Sequence, residues 1–409
     1  MTADAALSVS LQRSPDACWG VVAGAEEDQL VLWSPTERRL RVLNHTAASV
    51  WDLFERPQRQ FELVEALAEA YGASPEMVEP DVTVLVDELV EVGFLCDSAE
   101  VELSIGEQAH NAATGVIEPG MATIGPIGAL GSSILVGVDD AELHQALSAI
   151  LDPLATATNE CWAGPEIEIS VVAADEELSV FRNGALRARS SNRDHILRSV
   201  LAEVNAAPLE HVRSAVVLHA AGAAFPGAAG SNGQSLVVFP GVSNAGKSTL
   251  VSQLCLRGHA YLTDEAVAIE VGSLEAQPFH KSICIESSAQ QVLSELSEVL
   301  PRPLLSKTWD IDPRRVGSGR LAAADSIAAL VFPKYSHGAT TSLDAMQPFE
   351  ALQRLIANAF DFASVGQPAF AALVQLANTV PAFALDHGGD GTQLDELEHR
   401  FGRTAVTSS

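Results

Sequence analysis

The amino-acid sequence predicts an α+β winged-helix-like domain followed by a larger α/β domain, and two observations lead to this prediction. In the first hundred residues, three strand-like runs precede three helical patterns. Further on, an apolar run, a glycine-rich turn and a helical pattern follow one another within residues 236–256. The order of strands and helices indicates the fold class, because each amphipathic element must bury its apolar face against a neighbouring element. We therefore expect domains at residues 1–100 and 126–409, joined by a linker at 101–125.

The composition is typical of a globular chain with more than one domain. Of the 409 residues, 47% are apolar, which is enough to form several cores. The formal net charge of −29 argues against nucleic acid or an anionic membrane as partner. No signal peptide and no apolar run of about 18 residues is visible, so we expect a cytoplasmic protein. Five cysteines without a C-x-x-C pair argue against a disulfide framework or a zinc site. The oligomeric state stays open, a homo-oligomer included.

The amino-terminal region contains the first group of predicted elements. Strand-like runs cover residues 18–23, 29–33 and 39–43. Helical patterns follow over residues 44–54, 61–71 and, from about Pro80, 80–92. Asn44 or Thr46 is a suitable N-cap for the first helix, and Gly72 is a suitable C-cap for the second. Three strands followed by three short helices are typical of a small winged-helix-like unit.

Three stretches of this region, LNHTAASVWDLF, FELVEALAEAY and VDELVEVGFL, resemble the PqqD-like family of peptide-recognition domains over about residues 15–96. The resemblance implies that the leader of a precursor peptide adds a strand to the sheet edge beside the third helix. In such β-augmentation, backbone hydrogen bonds give affinity and side-chain pockets give selectivity. The matching surface here is residues 39–43 together with the third helix. A winged helix used only for packing or dimerisation is the alternative.

The region after the linker returns to strand-like sequence. Runs at residues 133–138, 166–173 and 178–182 predict strands, and residues 193–204 predict a helix. Asn183-Gly184, which follows the third run, is a strong signal for a two-residue hairpin turn.

Residues 241–249 read GVSNAGKST and match the phosphate-loop spacing G-x-x-x-x-G-K-[ST]. The run Leu236–Phe239 before them predicts a buried strand, and residues 247–256 predict a helix. Backbone N–H groups of such a loop bind phosphate oxygens, so we expect ATP as ligand. Lys247, one of only four lysines in the chain, would reach the β- and γ-phosphates, and Ser248 would ligate Mg²⁺. The expected nucleotide-binding residues are Gly241, Ser243, Asn244, Ala245, Gly246, Lys247, Ser248 and Thr249.

Two further features lie close to this loop in the predicted fold. Asp264 and Glu265 follow Lys247 by 17 and 18 residues, after which a returning strand could place them near the γ-phosphate. One carboxylate would hold Mg²⁺ and the other would accept a proton from an attacking hydroxyl; the alternative is a solvated turn. His219 lies in a strand-like run, and folding this run against the strand before the loop places it opposite about Pro240. Both a structural and an active-site role remain open for it.

Three stretches, LHAAGAAF, FPGVSNAGKSTL and YLTDEAVAIE, resemble the HPr kinase-like family in order and spacing. The later VFPKYSHGATTSLDAMQPFEALQRL resembles its carboxy-terminal part, so that the resemblance covers about residues 130–400. It implies a P-loop kinase that phosphorylates a serine hydroxyl. By this match Asp264 takes the position of the catalytic base and His219 that of the active-site histidine. Glu265 stands where a second aspartate is common.

Together the two resemblances predict an enzyme that holds a precursor peptide and phosphorylates one of its hydroxyl groups with ATP and Mg²⁺. Lys247, His219, Asp264 and Glu265 are the predicted catalytic residues, and Ser248, Asp264 and Glu265 the predicted metal ligands. Two alternatives stay open: a nucleotide-gated peptide-binding module without phosphotransfer, and a kinase for a small molecule. Four arginines follow the acidic pair, and the sequence does not select a phosphate ligand among Arg302, Arg314, Arg315 and Arg320.

Overall fold

The computed structural model describes most of the chain, and the described residues divide into two compact units. The described residues are 10–24, 27–35, 37–98, 117–118, 120–130, 132–155, 166–174, 177–212, 214–226, 234–243, 245–286, 289, 294, 308–360 and 366–402. The first unit draws on 1–110, 347–352 and 361–379, and the second on 111–346, 353–360 and 380–409. Residues 366–379 therefore belong with the amino-terminal unit, an association that the sequence did not predict.

The elements are numbered in chain order. The strands are β1 Ser10–Arg13, β2 Cys18–Val22, β3 Gln29–Ser34, β4 Arg39–Leu43, β5 Gln58–Arg59, β6 Leu95–Asp97, β7 Ala122–Ala129, β8 Ser132–Val138, β9 Glu166–Ala174, β10 Glu177–Arg182, β11 Ala185–Ser190, β12 Ala215–Pro226, β13 Gln234–Pro240, β14 Ala260–Thr263, β15 Ala266–Glu270, β16 Glu275–Gln277, β17 Ile283–Glu286, β18 Thr308–Ile311, β19 Asp325–Tyr335, β20 Ser342–Ala345 and β21 Ala382–His387. The helices are α1 His45–Leu53, α2 Gln60–Tyr71, α3 Pro75–Glu91, α4 Ala141–Ala155, α5 Arg193–His211, α6 Lys247–Leu256, α7 Pro348–Asn358, α8 Gln367–Thr379 and α9 Thr392–Phe401. Within the described part of the chain, no helix combines the length and the apolar character that crossing a bilayer requires.

The first unit contains the predicted three strands and three helices. Strands β2, β3 and β4 form an antiparallel sheet, and a second sheet has the order β5-β1-β6. The predicted caps are confirmed, since Asn44 accepts a hydrogen bond from the Ala47 N–H at 2.8 Å and Gly72 adopts the left-handed conformation. The predicted start of the third helix near Pro80 was wrong. Helix α3 begins at Pro75, where the missing N–H belongs to the unbonded first turn, and it continues through Pro80.

Helix α8 closes the outer edge of β2 in the first unit. The Gln367 side chain accepts a hydrogen bond from the Trp19 N–H and donates one to the Trp19 carbonyl, both at 2.8 Å. The Asn378 side chain accepts from the Ala23 N–H at 2.9 Å and donates to the Val21 carbonyl at 2.8 Å. Two amide side chains thus satisfy the backbone groups that a neighbouring strand would otherwise bind.

The second unit begins with a five-stranded sheet of order β11-β10-β9-β8-β7. Strands β8 and β9 are parallel and α4 lies between them in sequence, which makes a βαβ unit. The predicted hairpin is confirmed: Asn183 and Gly184 have φ values of 47° and 77° between the antiparallel β10 and β11. Strand β7 begins at Ala122, within the segment assigned to the linker, whose residues 101–116 lie outside the described part of the chain.

An eight-stranded sheet completes the second unit and carries the glycine loop. Its order is β13-β12-β15-β16-β19-β21-β20, and β14 pairs with β12. Strands β13, β19 and β21 are parallel to one another, whereas β12 is antiparallel to its neighbours β13 and β15. Helix α6 packs against this sheet in a core that includes Phe225, Phe239 and Tyr261. The carboxyl ends of the three parallel strands therefore lie on one edge, beside the start of α6.

Candidate functional site

The glycine loop joins the end of β13 to the start of α6, so the predicted order of strand, turn and helix is confirmed. Gly246 caps α6 with φ 86°, a left-handed conformation that favours glycine. The first N–H groups of the helix have no acceptor within it and carry the positive end of its dipole. Ser243 is exposed, whereas Ala245, Ser248 and Thr249 are half-buried. Asn244 lies outside the described residues.

The Lys247 side chain folds back over the loop. Its Nζ donates hydrogen bonds to the carbonyl oxygens of Gly241 at 2.7 Å and Val242 at 2.9 Å. Its Nζ also lies 3.2 Å from His219 Nε2. Burial lowers the pKa of Lys247 to about 8, although the nearby Asp264 carboxylate acts in the opposite direction. Burial lowers the pKa of His219, and the nearby Lys247 ammonium lowers it further. The lowered pKa favours a neutral imidazole ring, which can accept a hydrogen bond from Lys247.

His219 lies where the glycine loop and the acidic turn meet. Its carbonyl accepts a hydrogen bond from the Gly241 N–H at 3.1 Å. On the other side of β12, His219 pairs with Ala266, and the Ala220 N–H donates to the Glu265 carbonyl at 3.1 Å. The residue opposite Pro240 is Ala220, so the predicted register was off by one position.

Asp264 and Glu265 form the bend between β14 and β15. Asp264 is only 3% exposed, which does not fit a solvated turn. Its Oδ1 accepts from the Tyr261 hydroxyl and its Oδ2 from the Cys284 N–H, both at 3.0 Å. The Glu265 side chain is 43% exposed and accepts a hydrogen bond from Asn205 at 3.4 Å. Of the two carboxylates, Glu265 is thus the accessible one.

Lys281 completes this cluster, and the sequence interpretation missed it. Its Nζ lies 2.8 Å from Asp264 Oδ1 and 3.2 Å from Glu265 Oε2. Burial disfavours the charged ammonium, but the two carboxylates outweigh it and raise the pKa of Lys281. The sequence feature that could have pointed to Lys281 is that lysine is rare in this chain, with four residues in all. Lys281 also follows the buried Phe279 by two residues. Lys247 therefore lies on one side of His219, and Lys281 lies with the two acids on the other side.

The sequence left four arginines open as a phosphate ligand. Arg314 pairs with Asp312 at 2.8 Å, and Arg302 lies outside the described residues.

The second predicted surface is the outer edge of β4 in the first unit. In the described part of the chain β4 pairs only with β3, so its other edge has unbonded backbone groups. Arg41 on β4 forms an ion pair with Glu88 on α3, which places this edge beside the helix. Val42 on the same strand is 37% exposed.

Residues 29–95 match the family model of coenzyme PQQ synthesis protein D (PqqD). The match begins at β3 and ends at β6, and it includes the β4 edge together with α3. It supports the interpretation of this region as a peptide-recognition domain. A comparison of the whole chain with curated proteins gives no match.

Proposed function

We propose that this protein is an ATP-dependent kinase that phosphorylates a serine hydroxyl of a ribosomally made precursor peptide, whose leader binds the PqqD-type domain. The observation that best supports the proposal is the meeting of three elements around His219. The glycine loop with Lys247 lies on one side of β12, and the acidic turn with Asp264 and Glu265 lies on the other.

In this proposal the glycine loop binds the phosphates of ATP. The N–H groups at the start of α6 donate to the phosphate oxygens, and Lys247 exchanges its carbonyl acceptors for the β- and γ-phosphates. The His219 ring lies 3.2 Å from Lys247 Nζ and helps to hold the ammonium at the mouth of the loop. Burial strengthens these interactions because water does not screen them.

The oxygen donors near the loop fit Mg²⁺, which prefers carboxylates, hydroxyls and phosphate oxygens. Within the described residues no group of three or more His, Cys, Asp or Glu side chains could hold a metal ion, so protein side chains alone do not supply a full ligand set. Ser248 and one carboxylate of the acidic turn, Asp264 or Glu265, would hold the ion. When bound, Mg²⁺ neutralises charge on the transferred phosphoryl group.

The acidic pair acts on the acceptor. The serine oxygen attacks the γ-phosphorus, the bond from this phosphorus to the oxygen bridging to ADP breaks, and ADP leaves with that electron pair. The serine proton passes to a carboxylate of the acidic turn, where Asp264 and Glu265 are the available groups. Lys281 fixes both carboxylates before the acceptor arrives, so little reorganisation is needed during transfer.

Binding of the leader to the β4 edge would keep the acceptor serine at a high local concentration. Linking two binding events in this way makes the second one intramolecular. The catalytic site then needs few specific contacts with the acceptor segment.

Intact-mass spectrometry of a short peptide encoded beside the gene tests the proposal. We expect the peptide to gain one phosphoryl group with the wild-type protein, ATP and Mg²⁺. Lys247→Ala and Asp264→Asn should abolish this gain, whereas Lys334→Ala, a change at a lysine that is 74% exposed, should not. Removal of the leader from the peptide should raise KM and leave kcat nearly unchanged.

Three results would contradict the proposal. Transfer that persists in a folded Lys247→Ala variant would remove the loop from the mechanism. ATP binding without a phosphorylated peptide would favour the nucleotide-gated binding module. Phosphorylation of a metabolite instead of the peptide would favour a small-molecule kinase.

A further inference from the structure

Two aromatic residues end the parallel strands beside the glycine loop, on the side away from the acidic turn. Tyr335 ends β19 and His387 ends β21, and the two residues are directly paired across these strands. Strand β13, which leads into the loop, lies between β19 and β12. Ligands of open α/β sheets bind outside the carboxyl ends of parallel strands, so this edge is the expected place for a ligand.

Both side chains border the loop at Gly246. A Cβ built on Gly246 would lie 3.5 Å from Tyr335 Cβ and 4.0 Å from His387 Nε2. The Tyr335 ring meets the His387 ring edge-on at a centroid distance of 5.7 Å. This aromatic pair therefore lies directly beside the last glycine of the loop.

The two rings differ in exposure and in hydrogen bonding. Tyr335 is 47% exposed, so much of its ring surface is open to a ligand. His387 is 4% exposed, and neither of its ring nitrogens has a hydrogen-bond partner among the described residues. Buried polar groups in native proteins almost always have a partner, and one without a partner calls for an explanation.

We propose that Tyr335 and His387 form the subsite for the purine base of the nucleotide. The Tyr335 ring stacks on the base, and the His387 ring donates or accepts a hydrogen bond at the base edge. A purine provides both a flat aromatic face and edge nitrogens that donate and accept. This inference rests on the nucleotide binding proposed above and adds that the base, as well as the phosphates, is recognised.

Calorimetric titration with two probes tests the subsite. ADP carries a base, whereas inorganic tripolyphosphate presents phosphates alone. Tyr335→Ala should weaken ADP binding about tenfold, as expected for loss of one stacked base, and should change tripolyphosphate binding less than about twofold. Tyr335→Phe, which keeps the ring, should bind ADP nearly as the wild type does. Tyr71→Ala is the matched control, because Tyr71 is 56% exposed and lies on α2 of the first unit.

The same titrations separate failure of this inference from failure of the proposed function. Equal losses for both probes in Tyr335→Ala, or no loss for either, would overturn the base subsite. Wild-type protein that binds tripolyphosphate and ADP equally well would also overturn it, while phosphate binding by the loop would stand. Wild-type protein that binds neither probe would overturn both proposals. Lys247→Ala should weaken both probes together.

Discussion

Replacing Lys281 by methionine tests how the acidic turn is held. The change keeps the apolar stem and removes an ammonium that lies 2.8 Å from the Asp264 carboxylate. Breaking a buried ion pair from one side typically costs about 3–5 kcal/mol, because the other charge stays buried without compensation. Hydrogen bonds from Tyr261 and Cys284 still stabilise Asp264, so we expect the lower end of that range. Glu265 adds little, since half-exposed pairs contribute at most about 1 kcal/mol.

Urea denaturation followed by circular dichroism measures this loss. The double variant Lys281→Met/Asp264→Asn should recover about 2 kcal/mol, because a neutral amide replaces the uncompensated carboxylate. Since the native pKa of Lys281 is raised, its contribution is complete below the ordinary lysine pKa and is lost only at more alkaline pH. The cost of Lys281→Met should therefore be the same at pH 6 and pH 9. Lys334→Met, at a lysine 74% exposed, serves as the control and should change stability by less than about 0.5 kcal/mol.

Two results would refute this reasoning. A loss below about 1 kcal/mol for Lys281→Met would show that the ammonium does not compensate the buried carboxylate. Additive effects of Lys281→Met and Asp264→Asn would show that the two residues do not interact. In either case Lys281 would have no role in positioning the acidic turn.

Two further predictions concern stability. Asp140 caps α4 by accepting from the Leu143 N–H at 2.8 Å, and it pairs with Arg193 on α5 at 2.7 Å, so Asp140→Ala should cost about 1–2 kcal/mol in urea denaturation at pH 7. The Arg193 hydrogen bond lowers the pKa of Asp140, so this stabilisation is lost as pH falls through the lowered pKa, and the difference between wild type and variant should shrink in strong acid. A Cβ on Gly20 would lie 2.8 Å from Val374 Cγ2, so Gly20→Ala should cost about 1–3 kcal/mol in the same assay. The double variant Gly20→Ala/Val374→Ala should recover most of the loss, and a double variant as unstable as Gly20→Ala alone would contradict the contact.

The elements predicted well from sequence are those that local signals define. Helix α6 runs over residues 247–256, as the apolar pattern after the glycine loop predicted. Helix α4 was not predicted, although its buried Leu143, Leu147 and Leu151 recur at helical spacing and Asp140 caps it, so the signal was present. Strands β1, β5 and β6 were also missed, for a different reason. Each has two to four residues, and they pair across long stretches of chain, so local sequence carries almost no information about them.

Some residues of the candidate site could likewise be predicted from local sequence, whereas others could not. The phosphate-loop spacing placed Lys247 and Ser248 at the start of a helix because that motif is local. His219 could be placed to within one residue because two neighbouring strands have to pair. Lys281 could not be placed, because it reaches Asp264 and Glu265 only through the tertiary path of the chain between β16 and β17. A rare lysine close to apolar residues can be noticed in the sequence, but the fold determines which carboxylates it pairs with.

Helix α8 shows how a distant segment can decide which edge of a sheet is available to a ligand. Gln367 and Asn378 are 11 residues apart, which places them on the same face of the helix and about 16 Å apart along its axis. Strand backbone from Trp19 to Ala23 spans about 13 Å, so the two amides can bond near both ends of the outer edge of β2. That edge is therefore closed to an incoming strand. Since β3 lies in the middle of the β2-β3-β4 sheet, the edge of this sheet that stays free among the described residues is the β4 edge beside α3. Helix α8 thus leaves free, in this sheet, the edge that the PqqD match includes and that the proposed leader would use.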